Sequence, residues 1–259
     1  MVQEIELGDW VEFRETVGQM FGGVSRYIFR GQSDREWKLE STLTRLVQQI
    51  SRDFNSHALE EMQKDNFRMR IRGLRGSNPS KLSDEEIWCL GQHYGLCTPL
   101  LDWSESPYIA AYFAYEKVNT CSSGWRTIFA LDRLNLEKKI QEMDLSDEFK
   151  FIQPLQDDNN RIIAQAGLFT KTPTNTDLEA WLIDKELESY LIKLHVEDDY
   201  RLDAINDLKL MNIIGSTIYP DLHGASVACN MLIENISDNH ELRKNVNATL
   251  KALFPEKYS

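Results

Sequence analysis

Residues 98–118 read TPLLDWSESPYIAAYFAYEKV, and the class of the fold turns on them. Leu100, Leu101, Asp102 and Trp103 form a short apolar run broken by one acid, which predicts a strand. Ser106 then offers an N-cap oxygen, and Pro107 takes the first helical position, where its missing N–H costs nothing. A helix is predicted to run on through Val118. Upstream, SDEEIWCLGQHYG (residues 83–95) reads as a helix capped by Ser83 and stopped near Gly95. SRYIFRG (residues 25–31) reads as a strand ending at Gly31. Helices are predicted over 8–21, with Asp9 as N-cap, and over 41–50 and 56–74. Downstream, strands are predicted over 124–132, 148–154, 162–170 and 189–196. Helices are predicted over 136–143, 177–187, 199–213 and 226–236. These elements mix without a steady strand-helix-strand rhythm. The expected class is therefore α+β, a single domain whose central mixed or antiparallel sheet is surrounded by helices.

The chain has 259 residues, 42% of them hydrophobic, enough apolar surface for a proper core. Its net charge is −12, so its overall field opposes the many phosphate contacts that non-specific nucleic-acid binding needs. A local basic pocket for one phosphorylated ligand remains compatible with that field. Cys89, Cys97, Cys121 and Cys229 form no Cys-x-x-Cys pair and read as free thiols of a reducing compartment. The five histidines form no metal-binding motif, so no metal is expected. The acidic N-terminus has no apolar signal core, and no apolar run is long enough to span a membrane. A cytoplasmic protein with no membrane partner is the expectation.

Polar residues set into apolar framework mark the places where chemistry is expected. Arg30 ends the first such strand beside Gly31 and Gln32. Its guanidinium is a rigid fork of donors suited to phosphate or carboxylate. Gly31 allows a sharp turn or the close approach of a ligand. The plain alternative is a solvated arginine at a strand end. A second cluster, GQHYGLCTPLLDWSESP, places Gln92, His93, Tyr94, Thr98, Asp102, Trp103, Ser104 and Ser106 between two core-forming helices. Asp102, flanked by Leu101 and Trp103, is expected to be partly buried or paired with a cation, with Arg30 as its partner. It reads equally as a cap for the following helix. Arg161 and Gln165 stand four apart before Gly167, which reads as an interruption of an apolar strand. Glu186 and Glu188 precede the strand at 189–196 and read as a solvated helix end or as a pair that positions a sugar. Phosphate-binding Gly-rich motifs and the Gly-x-Ser-x-Gly elbow are absent from the sequence.

YIFRGQSDREWKLESTLTR (residues 27–45) resembles the opening of the FRG domain, named for a Phe-Arg-Gly triplet that stands here as Phe29, Arg30 and Gly31. QHYGLCTPLLDWSESPYIAAYFA (residues 92–114) resembles the second signature of that family, RIIAQAGLFT (residues 161–170) the third, and IIGSTIYPDLHGASVACN (residues 213–230) the closing segment. The four blocks follow one another in the family's order and span nearly the whole chain. Two departures stand out: Cys97-Thr98-Pro99 replaces the usual Pro-Thr-Arg, which removes a cation at position 99, and Ser104 replaces a threonine while keeping the hydroxyl. The resemblance implies an N-terminal helix (1–26) packed on the domain, an FRG domain over 27–230 and a C-terminal helical extension over 231–259. It also implies a module of bacteria and phages that acts in conflict or antiphage defence.

The order of these blocks is also similar to that of ADP-ribosyltransferases. That likeness implies an NAD-consuming enzyme, with NAD as co-substrate and a macromolecular target. Arg30 would hold the pyrophosphate or the nicotinamide ribose, and Tyr94 or Trp103 would stack on nicotinamide. Asp102 or Glu188 would orient the ribose and stabilise its cationic centre. The expected catalytic set is Arg30, Asp102 and Gln165, with Gly31, Gln32, His93, Tyr94, Thr98 and Trp103 binding the ligand. Two other readings stay open: a non-catalytic sensor for a nucleotide or other phosphorylated ligand, and a buried Arg30–Asp102 ion pair that only fixes the fold.

Overall fold

The computed structural model describes residues 1–23, 26–50, 55–118, 120–153, 160–238 and 240–254. Among the described residues seven strands make one sheet: β1 (Gln3–Leu7), β2 (Tyr27–Gln32), β3 (Leu100–Ser104), β4 (Trp125–Asp132), β5 (Lys150–Ile152), β6 (Gly167–Lys171) and β7 (Leu191–Glu197). Their spatial order is β1-β7-β4-β2-β3-β6-β5. The edge strand β1 runs parallel to β7, and the other pairings are antiparallel. Around the sheet lie α1 (Trp10–Phe21), α2 (Thr42–Ile50), α3 (Ser56–Arg70), α4 (Asp84–His93), α5 (Pro107–Tyr115) and α6 (Arg133–Glu142). They are followed by α7 (Asn160–Ala164), α8 (Leu178–Asp184), α9 (Arg201–Leu210), α10 (Gly215–Ile218), α11 (Leu222–Asp238) and α12 (His240–Leu253). The fold is α+β, one mixed sheet enclosed by helices, as the sequence predicts.

Alternation along the strands sorts the core into layers. Phe29 of β2, Ile128 and Ala130 of β4, and Ile192 and Leu194 of β7 face α1, α5 and α9. Ile28, Leu131 and Leu191 face the other way, onto α6 and α8. A third cluster seats Leu43 and Val47 of α2 and Trp88 and Cys89 of α4 against Leu100 and Phe169.

Helix α5 lies unusually close to β2, and its sequence permits it. Ala110, Ala111 and Ala114 are fully buried, so backbone meets backbone with almost nothing between. A Cβ on Gly31 would stand 1.8 Å from the Ala110 carbonyl oxygen. Gly31 is therefore required by a crossing helix; no sharp turn is involved. Ser106 accepts from the Ile109 N–H and Pro107 opens the helix, as its sequence predicts.

Two local expectations are corrected. GlnGluIleGluLeu at the N-terminus forms β1, where no strand was expected. Ile162–Ala164 is helical, part of α7, and Ala166 at φ 44° turns the chain into β6. Gly167 thus begins a strand where an interruption was expected. A helix, α12, follows α11 within the expected C-terminal helical extension. Ser25, Pro154 and the last five residues of the expected C-terminal extension lie outside the described residues.

Candidate functional site

The sheet opens at its centre. β2 and β3 share one paired position, Phe29 with Ser104. Beyond it, β2 continues along β4 as far as Gln32 while β3 follows β6 back to Leu100. An opening of this kind leaves backbone groups without ladder partners, and these must be satisfied some other way. Arg30 does so for one of them: its Nη1 donates to the Asp102 carbonyl at 2.7 Å. The same Nη1 lies 3.6 Å from Asp102 Oδ2.

Asp102 is itself held from α4. Gln92 Nε2 donates to Asp102 Oδ1 at 2.6 Å, and the Thr98 hydroxyl donates to Gln92 Oε1. The amide of Gln92 is thereby fixed in one orientation, and the carboxylate with it. The Asp102 side chain is 58% exposed, so the pair with Arg30 is not the buried ion pair that one reading of the sequence required. Burial pushes the Arg30 pKa below its ordinary value, and Asp102 partly counters this. The Arg30 Nε is buried with no hydrogen-bond partner.

Over this opening, on the face that carries α4 and α5, lies a cavity of about 340 Å³. Phe29, Gly31, Asp102 and Ser104 form its floor, Gln92 and His93 one wall and Phe113 another. Arg161, Gln165 and Tyr219 close the remaining side. Gln165 donates to the Ile218 carbonyl at 3.2 Å, and Ser104 donates to the Gln165 carbonyl at 2.7 Å, which ties the turn after α7 to β3 and α10. Arg161 donates to Asp221 at 2.8 Å and lies over the Tyr219 ring at 5.3 Å. The pKa of His93 is lowered by burial and by the charge of Arg161. A neutral imidazole therefore dominates near pH 7. The Cys89 thiol, also in the lining, is pushed up to about 12 by burial and nearby carboxylates, so it is no nucleophile.

A second cavity of about 660 Å³ adjoins the first, because Arg30, Gly31 and Phe113 line both. Gln32 lies in this second chamber, where its Nε2 donates to the Lys38 carbonyl at 3.1 Å. The guanidinium of Arg30 thus stands at the junction of two chambers.

Of the residues singled out in the sequence, Arg30, Gly31, Gln92, His93, Asp102, Trp103, Ser104, Arg161 and Gln165 line the first chamber and Gln32 the second. Trp103 contributes only from within the core, where its indole N–H is already donated to Thr170 at 2.9 Å. Tyr94 is 75% exposed and stands outside both linings. Thr98 is fully buried and outside them too. It accepts from Leu43 and Thr42 and orients Gln92. Glu188 sits at the N-terminal amine, 2.7 Å from it, and lines neither chamber.

The aromatic walls were missed. Phe113 and Tyr219 face the cleft, yet in the sequence Phe113 sits in an apolar run like any core residue, and Tyr219 stands between Ile218 and Pro220 in a turn-like segment. Glu116 was also missed. It lines the second chamber and accepts from the Tyr219 hydroxyl at 3.3 Å. Burial raises its pKa. The end of α5 that presents Glu116 is held by two guanidiniums. Arg126 donates to the carbonyls of Ala114 and Lys117, and Arg201 to those of Tyr115 and Glu116.

The family model of the FRG domain matches residues 25–123. Residues 25–123 of the chain are an FRG domain. The matched segment carries β2, α2, α3, α4, β3 and α5, and so holds Arg30, Gln92 and Asp102 together. Arg161, Gln165 and Tyr219 come from sequence beyond it and complete the cleft of the FRG domain from outside the match. No curated protein and no solved structure matches the chain. Among the described residues no helix is long and apolar enough to cross a membrane.

Proposed function

We propose that the paired chambers bind an anionic nucleotide through Arg30, and that the ligand is NAD, cleaved at its nicotinamide bond as in ADP-ribosyltransferases. The observation that carries this reading is the opening between β2 and β3. It places a guanidinium with an unpartnered, buried Nε at the junction of two chambers, beside a carboxylate fixed by an amide. A guanidinium is suited to a pyrophosphate, and a chamber on either side of it leaves room for the two halves of a dinucleotide.

In this reading the first chamber takes the nicotinamide end, with Phe113 and Tyr219 as its stacking surfaces in place of Tyr94. Asp102, not Glu188, faces the ribose. The C1′–N1 bond breaks with its electron pair leaving on nicotinamide, whose ring nitrogen thereby loses its positive charge. The ribose is left as an oxocarbenium ion, which the Asp102 carboxylate stabilises. An acceptor hydroxyl, amine or water then bonds to C1′ and gives its proton to solvent through the exposed carboxylate. A role in bacterial or phage conflict is consistent with consumption of a central nucleotide and belongs to the same proposal.

Purified protein incubated with NAD is expected to release nicotinamide, and Asp102→Asn is expected to slow that release by about 10²-fold or more. NAD that raises the melting temperature and is recovered intact, with and without cell extract as a source of acceptors, would replace the enzyme by the sensor reading.

A further inference from the structure

The second chamber is lined differently from the first. Besides Arg30 it holds Arg45, whose Nη1 donates to the Glu40 carbonyl at 2.7 Å. Lys38 and Lys117 bring the cationic side chains in its lining to four, against the three acids Glu36, Glu40 and Glu116. On a chain of net charge −12, a lining with this balance is a local exception to the overall field. Gln32 is buried in its wall, and its Oε1 has no hydrogen-bond partner.

Trp37 lies in this lining and is 49% exposed. Among the described residues no aromatic ring and no cation packs on its indole. The loop that presents it is pinned on both sides. Before it, the Asp34 carboxylate accepts from the Ser122 N–H and hydroxyl, the Ser123 N–H and the Glu36 N–H. After it, Leu39 is fully buried in the core and its carbonyl accepts from the Leu178 N–H. The Trp37 N–H closes the turn onto the Asp34 carbonyl. The indole is thus offered to the chamber by a rigid frame and has a face free for a planar guest.

We propose that this second chamber is a subsite for the purine nucleotide half of the ligand: Trp37 stacks on the base, and Arg30 and Arg45 take the phosphate. A flat aromatic guest matches the unpartnered indole, since base–aromatic stacking tolerates any planar base and leaves the polar lining to select. A phosphate matches the two guanidiniums, which flank the chamber from β2 and α2. The carboxylate of Glu40, held by Gln48 at 3.2 Å, is an acceptor of the kind that ribose hydroxyls need. The chamber volume, about 660 Å³, lies in the range of small-molecule sites. The inference rests on the nucleotide reading of the cleft and assigns which half of the ligand goes where.

Calorimetric titration with adenosine monophosphate and, separately, with nicotinamide mononucleotide tests it on wild-type protein, Trp37→Ala and Trp37→Phe. Wild type is expected to bind adenosine monophosphate. Trp37→Ala is expected to weaken that binding about tenfold or more, and Trp37→Phe to retain most of it. Affinity for nicotinamide mononucleotide is expected to be the same in all three. Three results would overturn the subsite: equal affinity of wild type and Trp37→Ala for adenosine monophosphate, no binding of it by wild type, or equal loss of both probes in Trp37→Ala. Trp37-dependent binding of adenosine monophosphate without any nicotinamide release from NAD supports the subsite and retires the cleavage chemistry alone.

Discussion

Arg30 has two jobs at the atomic scale, and they separate experimentally. One Nη1 satisfies the Asp102 carbonyl that the open ladder leaves bare, while its Nε has no partner. Because Asp102 is largely exposed, removing the charge of Arg30 strands no buried carboxylate. Arg30→Gln keeps a donor for the carbonyl and is expected to cost about 1–2 kcal/mol, a drop in melting temperature of roughly 2–8 °C by calorimetry. Loss of the folded state would instead restore the purely structural reading of the pair. Arg30, Asp102 and Gln165 could be read from the sequence because each puts a polar group where apolar residues surround it. Phe113 could not, because an aromatic wall and an aromatic core residue are the same letter in an apolar run, and Tyr219 could not, because nothing in the segment Thr217-Ile218-Tyr219-Pro220 ties its ring to a distant cleft. Thr98 and Glu188 misled for the opposite reason. A hydroxyl near an acid and a glutamate near a strand also suit internal hydrogen bonds and a pair with the chain terminus.

Among the elements, α5 and β2 define the cleft together. The alanine face of the helix and the glycine of the strand let two backbones touch, which sets the position of Phe113 above the opening and brings Glu116 to its end. Gly31→Ala forces a methyl group to within 1.8 Å of a backbone oxygen that cannot swing aside. The expected cost is about 3 kcal/mol or more, seen as a fall in melting temperature of roughly 6–12 °C. A variant as stable as wild type would mean that α5 does not lie where the structure puts it. Most elements were legible because caps and periodicity are local, as with Ser83, Asp9 and Ser106. The strand β1 was not. As an edge strand it pairs on one side only, and its glutamates meet partners far away in the chain. Glu4 meets Lys193 at 3.1 Å, and Glu6 meets Arg35 at 2.9 Å. In the sequence such residues read as a polar terminus. Ile162 and Ile163 misled in the reverse sense, since a short apolar run does not distinguish a strand from one turn of helix.

For the molecule as a whole, the decisive feature is one the sequence does not contain in any single segment. A sheet whose central pair of strands shares a single position is a matter of register between distant residues, and no periodicity along the chain announces it. The α+β class was legible, and so was the convergence of the Arg30 and Asp102 segments; the opening between them and the twin chambers were not. The net charge of −12 opposes phosphate binding overall, and the hollow that Arg30 and Arg45 both line is a local exception to it. Binding of an anionic nucleotide in that hollow is the central prediction. Calorimetric titration of NAD into wild-type protein and into folded Arg30→Gln tests it most directly. One saturable site in wild type, weakened by about tenfold or more in the variant, is the predicted result, in keeping with the loss of a charge-assisted contact. Equal affinity in the two proteins, or no binding by wild type, would contradict it.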